Sequence, residues 1–236
     1  MNLKHRSTQA ELLDRDDILF DDLVVNLREL NFINTWLGGH QITIAGLKSL
    51  LKNGTERNKE IIVCEIGCGG GDNLRVVQRW LNKHQIKHQI VGIDLKPECI
   101  DYCQKQTDIT ATWVCSDYEK VIFEAQPDII FSSLFCHHFS ESELVNQMAW
   151  LRKNAAIGFF INDLQRHWLA YYLIKYLTQL FSNSYLVKND APLSVARGYS
   201  RTEWRTILDK SGNKFAKISW KWAFRWLVVS MSSDNI

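Results

Sequence analysis

Two adjacent histidines, His137 and His138, follow an apolar run that begins after Pro127. The run predicts a strand of an open α/β sheet, and ligands of such sheets bind at the carboxyl ends of strands, near the point where strand order reverses. Imidazole titrates close to neutral pH and can take a proton from a hydroxyl group. The pair is a candidate catalytic base, in which one histidine could orient the other or the substrate. A structural role for both histidines stays an open alternative.

A second group of polar side chains follows the next apolar run, residues 156–161. Asp163, Arg166 and His167 lie where that predicted strand would end. They could supply a second proton-transfer group or a clamp for the substrate. An ordinary helix cap and a surface ion pair explain them equally well.

A glycine-rich loop comes earlier in the chain, after the apolar run 61–64. Gly67, Gly69 and Gly71 allow positive φ and let a ligand lie against the backbone. The dinucleotide pattern G-x-G-x-x-G would require glycine at position 72, where this sequence has Asp72. A carboxylate there would repel a pyrophosphate, so a zwitterionic cofactor fits better than NAD.

Asp94 ends another apolar run, one helix length downstream of the glycine loop. This is the place of the ribose-binding carboxylate in a βαβ nucleotide site. Its oxygens can accept hydrogen bonds from two neighbouring ribose hydroxyls. The spacing predicts a strand, a glycine loop, a helix and a second strand.

The pattern Glu65-x-Gly67-x-Gly69-x-Gly71, followed by Asp94, resembles the first motifs of the class I S-adenosylmethionine (SAM) dependent methyltransferases. The resemblance implies a Rossmann-like α/β fold with a mostly parallel seven-stranded sheet and an antiparallel final strand. It also implies that the loop backs the methionyl part of SAM and that Asp117 receives the adenine amino group, although Asp117 could instead cap a helix. The cofactor contacts implied in this way are Glu65, Gly67, Gly69, Gly71, Asp94, Leu95, Asp117, Tyr118 and Ser133.

A second likeness lies in three short segments, at 27–39, 137–139 and 162–167. They are similar to bacterial small-molecule methyltransferases encoded beside type III polyketide synthases. This implies a small phenolic or quinol-like apolar acceptor, with O-methylation favoured over C-methylation. Trp36, Asp163, Arg166 and His167 are then candidate substrate contacts, and Trp36 could close the cleft. A core tryptophan beside a glycine pair that ends a helix is the alternative for Trp36.

Composition narrows the possible partners. The chain has 236 residues and a formal net charge of +2, too small to indicate a nucleic-acid partner. Six cysteines without a C-x-x-C pair indicate buried reduced thiols, and no metal site is predicted. The N-terminus lacks the apolar core of a signal peptide, so a cytoplasmic enzyme is expected. Two other functions stay open: a SAM-binding regulator or scaffold without turnover, and a methyltransferase of RNA or protein. The oligomeric state is not predicted.

We expect an N-terminal helical extension at 1–58 and a SAM-binding domain at 59–231, with a cap helix inserted at 165–198. A polar linker at 52–59 should connect the two parts. The cap helix carries an apolar stripe that could pack on the N-terminal helices, cover an apolar substrate or lie on a membrane surface, but it is too short to span a membrane. The residues 189–192, Asn-Asp-Ala-Pro, predict a turn after it.

Overall fold

A seven-stranded sheet lies at the centre of the molecule. The computed structural model describes residues 3–15, 17–54 and 59–232. The strands are β1 (Ile61–Ile66), β2 (His88–Asp94), β3 (Thr112–Cys115), β4 (Ile129–Ser133), β5 (Gly158–Leu164), β6 (Lys217–Lys221) and β7 (Arg225–Met231). Their order is β3-β2-β1-β4-β5-β7-β6, and β7 runs antiparallel to both of its neighbours while β1 to β5 pair in parallel. This confirms the predicted fold, including the antiparallel final strand.

Successive side chains of the strands point to opposite faces, so a hydrophobic core lies on each side of the sheet. Val63 and Phe160 face one core, and Cys64 and Phe159 face the other. β1 pairs with β2 on one side and with β4 on the other, so strand order reverses between β1 and β4. The carboxyl ends of these strands therefore border the crevice in which α/β proteins bind ligands.

Helices cover both faces of the sheet. They are α1 (Phe20–Trp36), α2 (Gly39–Gly54), α3 (Asp72–Lys83), α4 (Pro97–Gln104), α5 (Glu141–Asn154), α6 (Trp168–Phe181), α7 (Tyr185–Arg197) and α8 (Arg201–Lys210). Leucines of α2 and α3 pack in the core of one face, and side chains of α5 and α8 pack in the other. Among the described residues, no helix is both long enough and apolar enough to cross a membrane.

The N-terminal helices are joined by a tight turn. Gly38 has φ +77°, the left-handed conformation that commonly ends a helix, and α2 begins at the next residue. α2 continues to Gly54, so the first part of the predicted linker is helical; residues 55–58 lie outside the described residues.

The inserted region contains two helices, α6 and α7, where a single cap helix was expected. The predicted turn at 189–192 is wrong, because these residues lie inside α7 and Pro192 is a buried interior residue of that helix. Leu186, Val187 and Leu193 are buried on the same helix. Packing of this apolar face outweighs the local turn preference of Asn, Asp and Pro.

Candidate functional site

The glycine loop joins β1 to α3 at the crevice. Gly67, Gly69 and Gly71 have φ of +65°, +50° and +71°, as their spacing predicted. Glu65 is 1% exposed, and its Oε1 accepts a hydrogen bond from Nδ2 of Asn73 at 3.2 Å. Its Oε2 has no hydrogen-bond partner within the described part of the chain. Burial raises the pKa of Glu65 well above its usual range.

Asp94 connects the end of β2 to the same loop. One carboxylate oxygen accepts from the backbone N–H of Gly69 at 2.8 Å, and the other from that of Lys96 at 2.9 Å. Burial raises the pKa of Asp94 in spite of these bonds. A carboxylate has about four lone-pair sites, so acceptor capacity is left for a ribose. The next side chain, Leu95, is exposed.

The other predicted cofactor residues end β3 and β4. Asp117 accepts from the N–H of Glu119 at 3.1 Å and so caps a single 3-10 turn, as in the alternative given for it. Tyr118 is buried within that turn. Ser133, at the end of β4, accepts from Nδ2 of Asn162 at 3.3 Å.

This end of the sheet fits a ligand that is partly cationic and carries hydroxyl groups. The buried carboxylate of Glu65 and the partly buried one of Asp94 lie at the ends of neighbouring parallel strands, and one Glu65 oxygen has no partner among the described residues. The ring of Phe135 packs against Gly67 so closely that a Cβ there would lie 2.3 Å from it. An ammonium, a sulfonium and a ribose diol suit these hydrogen-bond acceptors and negative charges, whereas a pyrophosphate does not.

The histidine pair lies in a 3-10 turn, Cys136–His138, after β4. Asp163, at the end of β5, accepts from the backbone N–H groups of Cys136 at 2.6 Å and His137 at 3.3 Å. Its other oxygen lies 2.8 Å from Nδ1 of His137. Burial alone would raise the pKa of Asp163, but the charge and hydrogen bond of His137, with backbone N–H bonds, hold it below its usual range. The ionised carboxylate therefore keeps the proton of His137 on Nδ1.

Two acidic residues near the N-terminus complete this cluster, and the sequence analysis missed both. Glu11 places Oε1 3.5 Å from Nε2 of His137 and Oε2 3.8 Å from Nε2 of His138. Asp14 Oδ1 lies 3.0 Å from Nδ1 of His138. Burial raises the pKa of Glu11 to about 7, against the opposing effects of His138 and Arg197. Burial alone would raise the pKa of Asp14, but the hydrogen bond and charge of His138 lower the pKa of this carboxyl below its usual range.

The cluster borders a mostly apolar cavity of about 290 Å³. Glu11, His137 and His138 line its polar end with Asp190 and Ser194, and two further polar residues, Asn26 and Arg225, also line the cavity. Apolar side chains from α1, α6 and α7 line the rest, among them Leu30, Ile33, Leu37, Leu173, Ile174, Leu177, Val187 and Val195. Leu173 and Leu177 of the apolar stripe on α6 thus line a cavity, whereas Tyr176, Leu180 and Phe181 of the same stripe are exposed. None of the predicted cofactor residues lines it.

Three predicted substrate residues lie elsewhere. Trp36 is 74% exposed, so the alternative of a core tryptophan is wrong. The guanidinium of Arg166 binds Glu203 at 2.9 Å and the carbonyl of Gly198 at 2.7 Å. His167 caps α6, because its Nδ1 accepts from the N–H of Leu169 at 3.2 Å. Asp163 does not line the cavity but contacts His137, which does.

Comparison with known proteins is consistent with this geometry. Residues 63–154 match a sequence family described as a methyltransferase domain. Among curated proteins, no sequence matches the chain significantly.

Solved structures share the fold at low sequence identity. The plantazolicin methyltransferase BpumL in complex with SAH has a TM-score of 0.59 and 18% identity, and the likeness covers 84% of this chain and 72% of that one. Magnesium protoporphyrin IX methyltransferase (ChlM) from Synechocystis PCC 6803 with bound SAM has a TM-score of 0.53 and 14% identity, over 93% of this chain and 100% of that one. Human N-acetylserotonin methyltransferase in complex with SAM has a TM-score of 0.51 and 15% identity, over 72% of this chain and 47% of that one.

The sheet order, the glycine loop and the match over 63–154 define a methyltransferase domain with the Rossmann-like class I fold. The solved structures that share this fold contain SAM or its product SAH.

Proposed function

We propose that this enzyme methylates a hydroxyl group of a small, apolar, phenolic or quinol-like acceptor. The observation that carries the proposal is the cavity, whose lining is mostly apolar and brings the two histidines and Glu11 to its surface. An apolar acceptor buries its surface against α1, α6 and α7, and its single polar group then lies at the histidines. The short segments that resemble methyltransferases encoded beside type III polyketide synthases support the same class of acceptor.

His137 is the better placed base of the pair. Asp163 holds its Nδ1–H, which leaves the Nε2 lone pair of this cavity-lining histidine able to take the hydroxyl proton. His137 is 3% exposed, and Asp163 fixes both its ring and its backbone N–H. The reacting nitrogen is therefore positioned before the acceptor binds.

When bound, SAM supplies a methyl group activated by its sulfonium. The acceptor oxygen would take that methyl group as the carbon–sulfur electron pair leaves on sulfur. The hydroxyl proton goes to Nε2 of His137. Glu65 and Asp94 would hold the cofactor's amino and ribose groups.

O-methylation is favoured over C-methylation because the two histidines and Glu11 bring proton-accepting groups to the cavity lining. A hydroxyl needs one proton acceptor near the reacting atom, which the histidine end supplies. A cytoplasmic location forms part of the proposal, because the six cysteines are free thiols.

A substrate screen tests the proposal. The purified chain is incubated with SAM and a panel of alkylated phenols and quinols. Mass spectrometry identifies the products and the atom that carries the new methyl group. Each active acceptor is compared with its hydroxyl-free analogue. We expect O-methyl ethers from apolar phenols and no product with His137→Ala. Turnover confined to peptides or RNA, or unaffected by His137→Ala, would contradict the proposal.

A further inference from the structure

We propose that Glu11, His137 and His138 form a binding site for a divalent metal ion at the polar end of the cavity. One ligand atom of each residue, a carboxylate oxygen and two imidazole nitrogens, lies within 4.8 Å of the other two. Two histidines and one carboxylate are a common ligand set for zinc and for non-haem iron.

The imidazoles are already oriented as ligands. The carboxylate of Asp163 holds Nδ1 of His137, and the carboxylate of Asp14 holds Nδ1 of His138. Metal-binding histidines characteristically bond their second nitrogen to a carboxylate in this way. Both Nε2 atoms are left with lone pairs, and both face Glu11.

The separations of the facing atoms also suit a metal. Nε2 of His137 lies 3.5 Å from Glu11 Oε1, and Nε2 of His138 lies 3.8 Å from Glu11 Oε2. Both distances exceed those of ordinary N–H···O hydrogen bonds, about 2.7–3.2 Å. Ligands about 2.1 Å from a tetrahedral zinc ion are about 3.4 Å apart. A small inward movement of the Glu11 side chain would complete the arrangement.

Three carboxylates lie around the two imidazoles, those of Glu11, Asp14 and Asp163. Three arginines lie near them: Arg6 donates to the His137 carbonyl, Arg225 lines the cavity, and Arg197 contacts the carboxylates directly. Nε of Arg197 lies 4.0 Å from Glu11 Oε1 and Nη1 3.2 Å from Asp14 Oδ2. Its Nε and Nη2 donate to the carbonyls of His137 and His138, so the guanidinium lies against the backbone of the turn.

Two other polar groups border Glu11. Ser194 donates its hydroxyl to Glu11 Oε1 at 2.9 Å, which orients that oxygen and leaves it a further lone pair. Asp190 accepts from the backbone N–H groups of Leu12 and Leu13, and so fixes the segment that carries Glu11. Neither group competes for the imidazole nitrogens.

The inference rests on the proposed function for its catalytic consequence only. With the ion bound, both Nε2 atoms act as ligands, and the free coordination position faces the cavity. The acceptor hydroxyl would bind there, and the ion would lower its pKa so that the proton leaves to water. The role of His137 would change from proton acceptor to metal ligand.

Metal binding can be measured without turnover. The purified full-length chain is treated with a chelator, and Co²⁺ is titrated in while visible absorption is recorded; Zn²⁺ content is then measured by elemental analysis. We expect one ion per chain. The bound Co²⁺ should show the visible absorption bands of four- or five-coordinate cobalt, and these bands should disappear when added Zn²⁺ displaces it. In Glu11→Gln and His138→Gln the affinity should fall by about 100-fold or more.

His84→Gln is the matched control, because His84 is exposed and bonds only locally to the carbonyl of Trp80. Calorimetric SAM binding checks that each variant is folded. A chelated wild-type chain that binds no Co²⁺ at one equivalent, or variants that bind as tightly as His84→Gln, would overturn the metal site.

Turnover separates the two proposals. Product formed equally well by chelated and metal-loaded protein supports the proposed function with imidazole as base, and contradicts a catalytic ion. Stoichiometric metal binding with no phenol or quinol methylated supports the site and overturns the proposed acceptor class. Activity lost on chelation and restored by one equivalent of metal supports both.

Discussion

Asp163 links the backbone of the histidine turn to the imidazole of His137. Its carboxylate accepts backbone N–H groups of the turn and the Nδ1–H of His137, and it is 2% exposed. Hydrogen bonds to a buried ionised group are stronger than neutral ones. One side chain therefore sets both the fold of the turn and the direction of the imidazole ring.

Asp163→Asn should lower kcat by about 10²–10⁴-fold, because an amide can present an N–H to Nδ1 and reverse the proton arrangement of His137. KM for the acceptor should change much less. The measurement is steady-state kinetics with the acceptor found in the screen. Asp128→Asn is the control, since Asp128 is a buried carboxyl at the opposite end of the sheet that accepts from the N–H of Ile62. Equal losses of kcat in the two variants would contradict the orienting role.

Gly67→Ala should lower the free energy of unfolding by about 1–3 kcal/mol and weaken SAM binding, because position 67 has positive φ and the new Cβ would lie 2.3 Å from the Phe135 ring. Gly70→Ala is the matched control in the same loop. A Cβ there would meet its nearest atom, an Asp72 side-chain oxygen, at 3.3 Å. Urea unfolding and calorimetric SAM titration measure the two effects, and similar values for both variants would refute the steric argument.

The sequence predicted the residues whose position follows from a local pattern. Glu65, the three glycines and Asp94 lie next to strands, and strand ends in a parallel sheet meet at one edge. Glu11 carries no such signal, because it belongs to a polar segment far from the histidines in sequence. Its place in the site depends on long-range contacts, such as the bonds from Leu12 and Leu13 to Asp190.

At the scale of elements, α7 holds the N-terminal segment against the cavity. Asp190 lies inside α7 and accepts the N–H groups of Leu12 at 2.8 Å and Leu13 at 2.9 Å. The turn preference of residues 189–192 predicted a turn there, but these residues are helical because α7 packs its apolar face in the interior. The same change of element gives Asp190 its function, since a rigid helix fixes the carboxylate that anchors Glu11.

Asp190→Ala should release the segment that carries Glu11. Each bond to the carboxylate contributes about 1.5–3 kcal/mol, so amide hydrogen exchange at residues 11–14 should accelerate by about 10-fold or more. Exchange in the strands of the sheet should stay unchanged. Asn189→Ala serves as control, because Asn189 donates to Asp190 and makes no bond to the N-terminal segment in the contacts described. Unchanged exchange at residues 11–14 in Asp190→Ala would show that the anchor lies elsewhere.

Ala170→Leu should narrow the acceptor range. Ala170 lies on α6, is 9% exposed and lines the cavity. A larger side chain there should lower kcat/KM for the bulkiest acceptors by about 10-fold or more, with SAM binding unchanged. Leu180→Ala on the same helix is the control, since Leu180 is 75% exposed and lies outside the cavity lining. Proportional losses for small and bulky acceptors would argue against a size effect.

At the scale of the whole molecule, the sheet and the acceptor site are separable. The sheet and its two cores are built from residues after 59 together with α2, whereas the N-terminal segment 3–15 contacts α7, the histidine turn and the smaller cluster of Leu23, Leu27 and Cys99. Apolar runs therefore predicted individual strands, and the resemblance to class I methyltransferases implied the seven-stranded sheet. Neither could predict how a polar segment closes one end of a cavity.

Removal of residues 1–15 should leave a folded protein that binds SAM and does not methylate. The two cores of the sheet are retained, but Glu11 and Asp14 are lost from the histidines. Far-ultraviolet circular dichroism, SAM calorimetry and the turnover assay measure the three properties. A truncated chain with wild-type turnover would exclude any catalytic contribution of the N-terminal segment.

Five of the six cysteines are buried, and the sixth, Cys115, is exposed at the end of β3. Burial raises the pKa of the Cys64, Cys99 and Cys136 thiols, which keeps them protonated and unreactive at neutral pH. A maleimide dye should therefore attach at Cys115 alone in the native protein. Because Asp117 and Tyr118 follow two and three residues later, the dye would sit beside the proposed adenine site and serve as a fluorescent reporter of cofactor exchange, without any engineered cysteine.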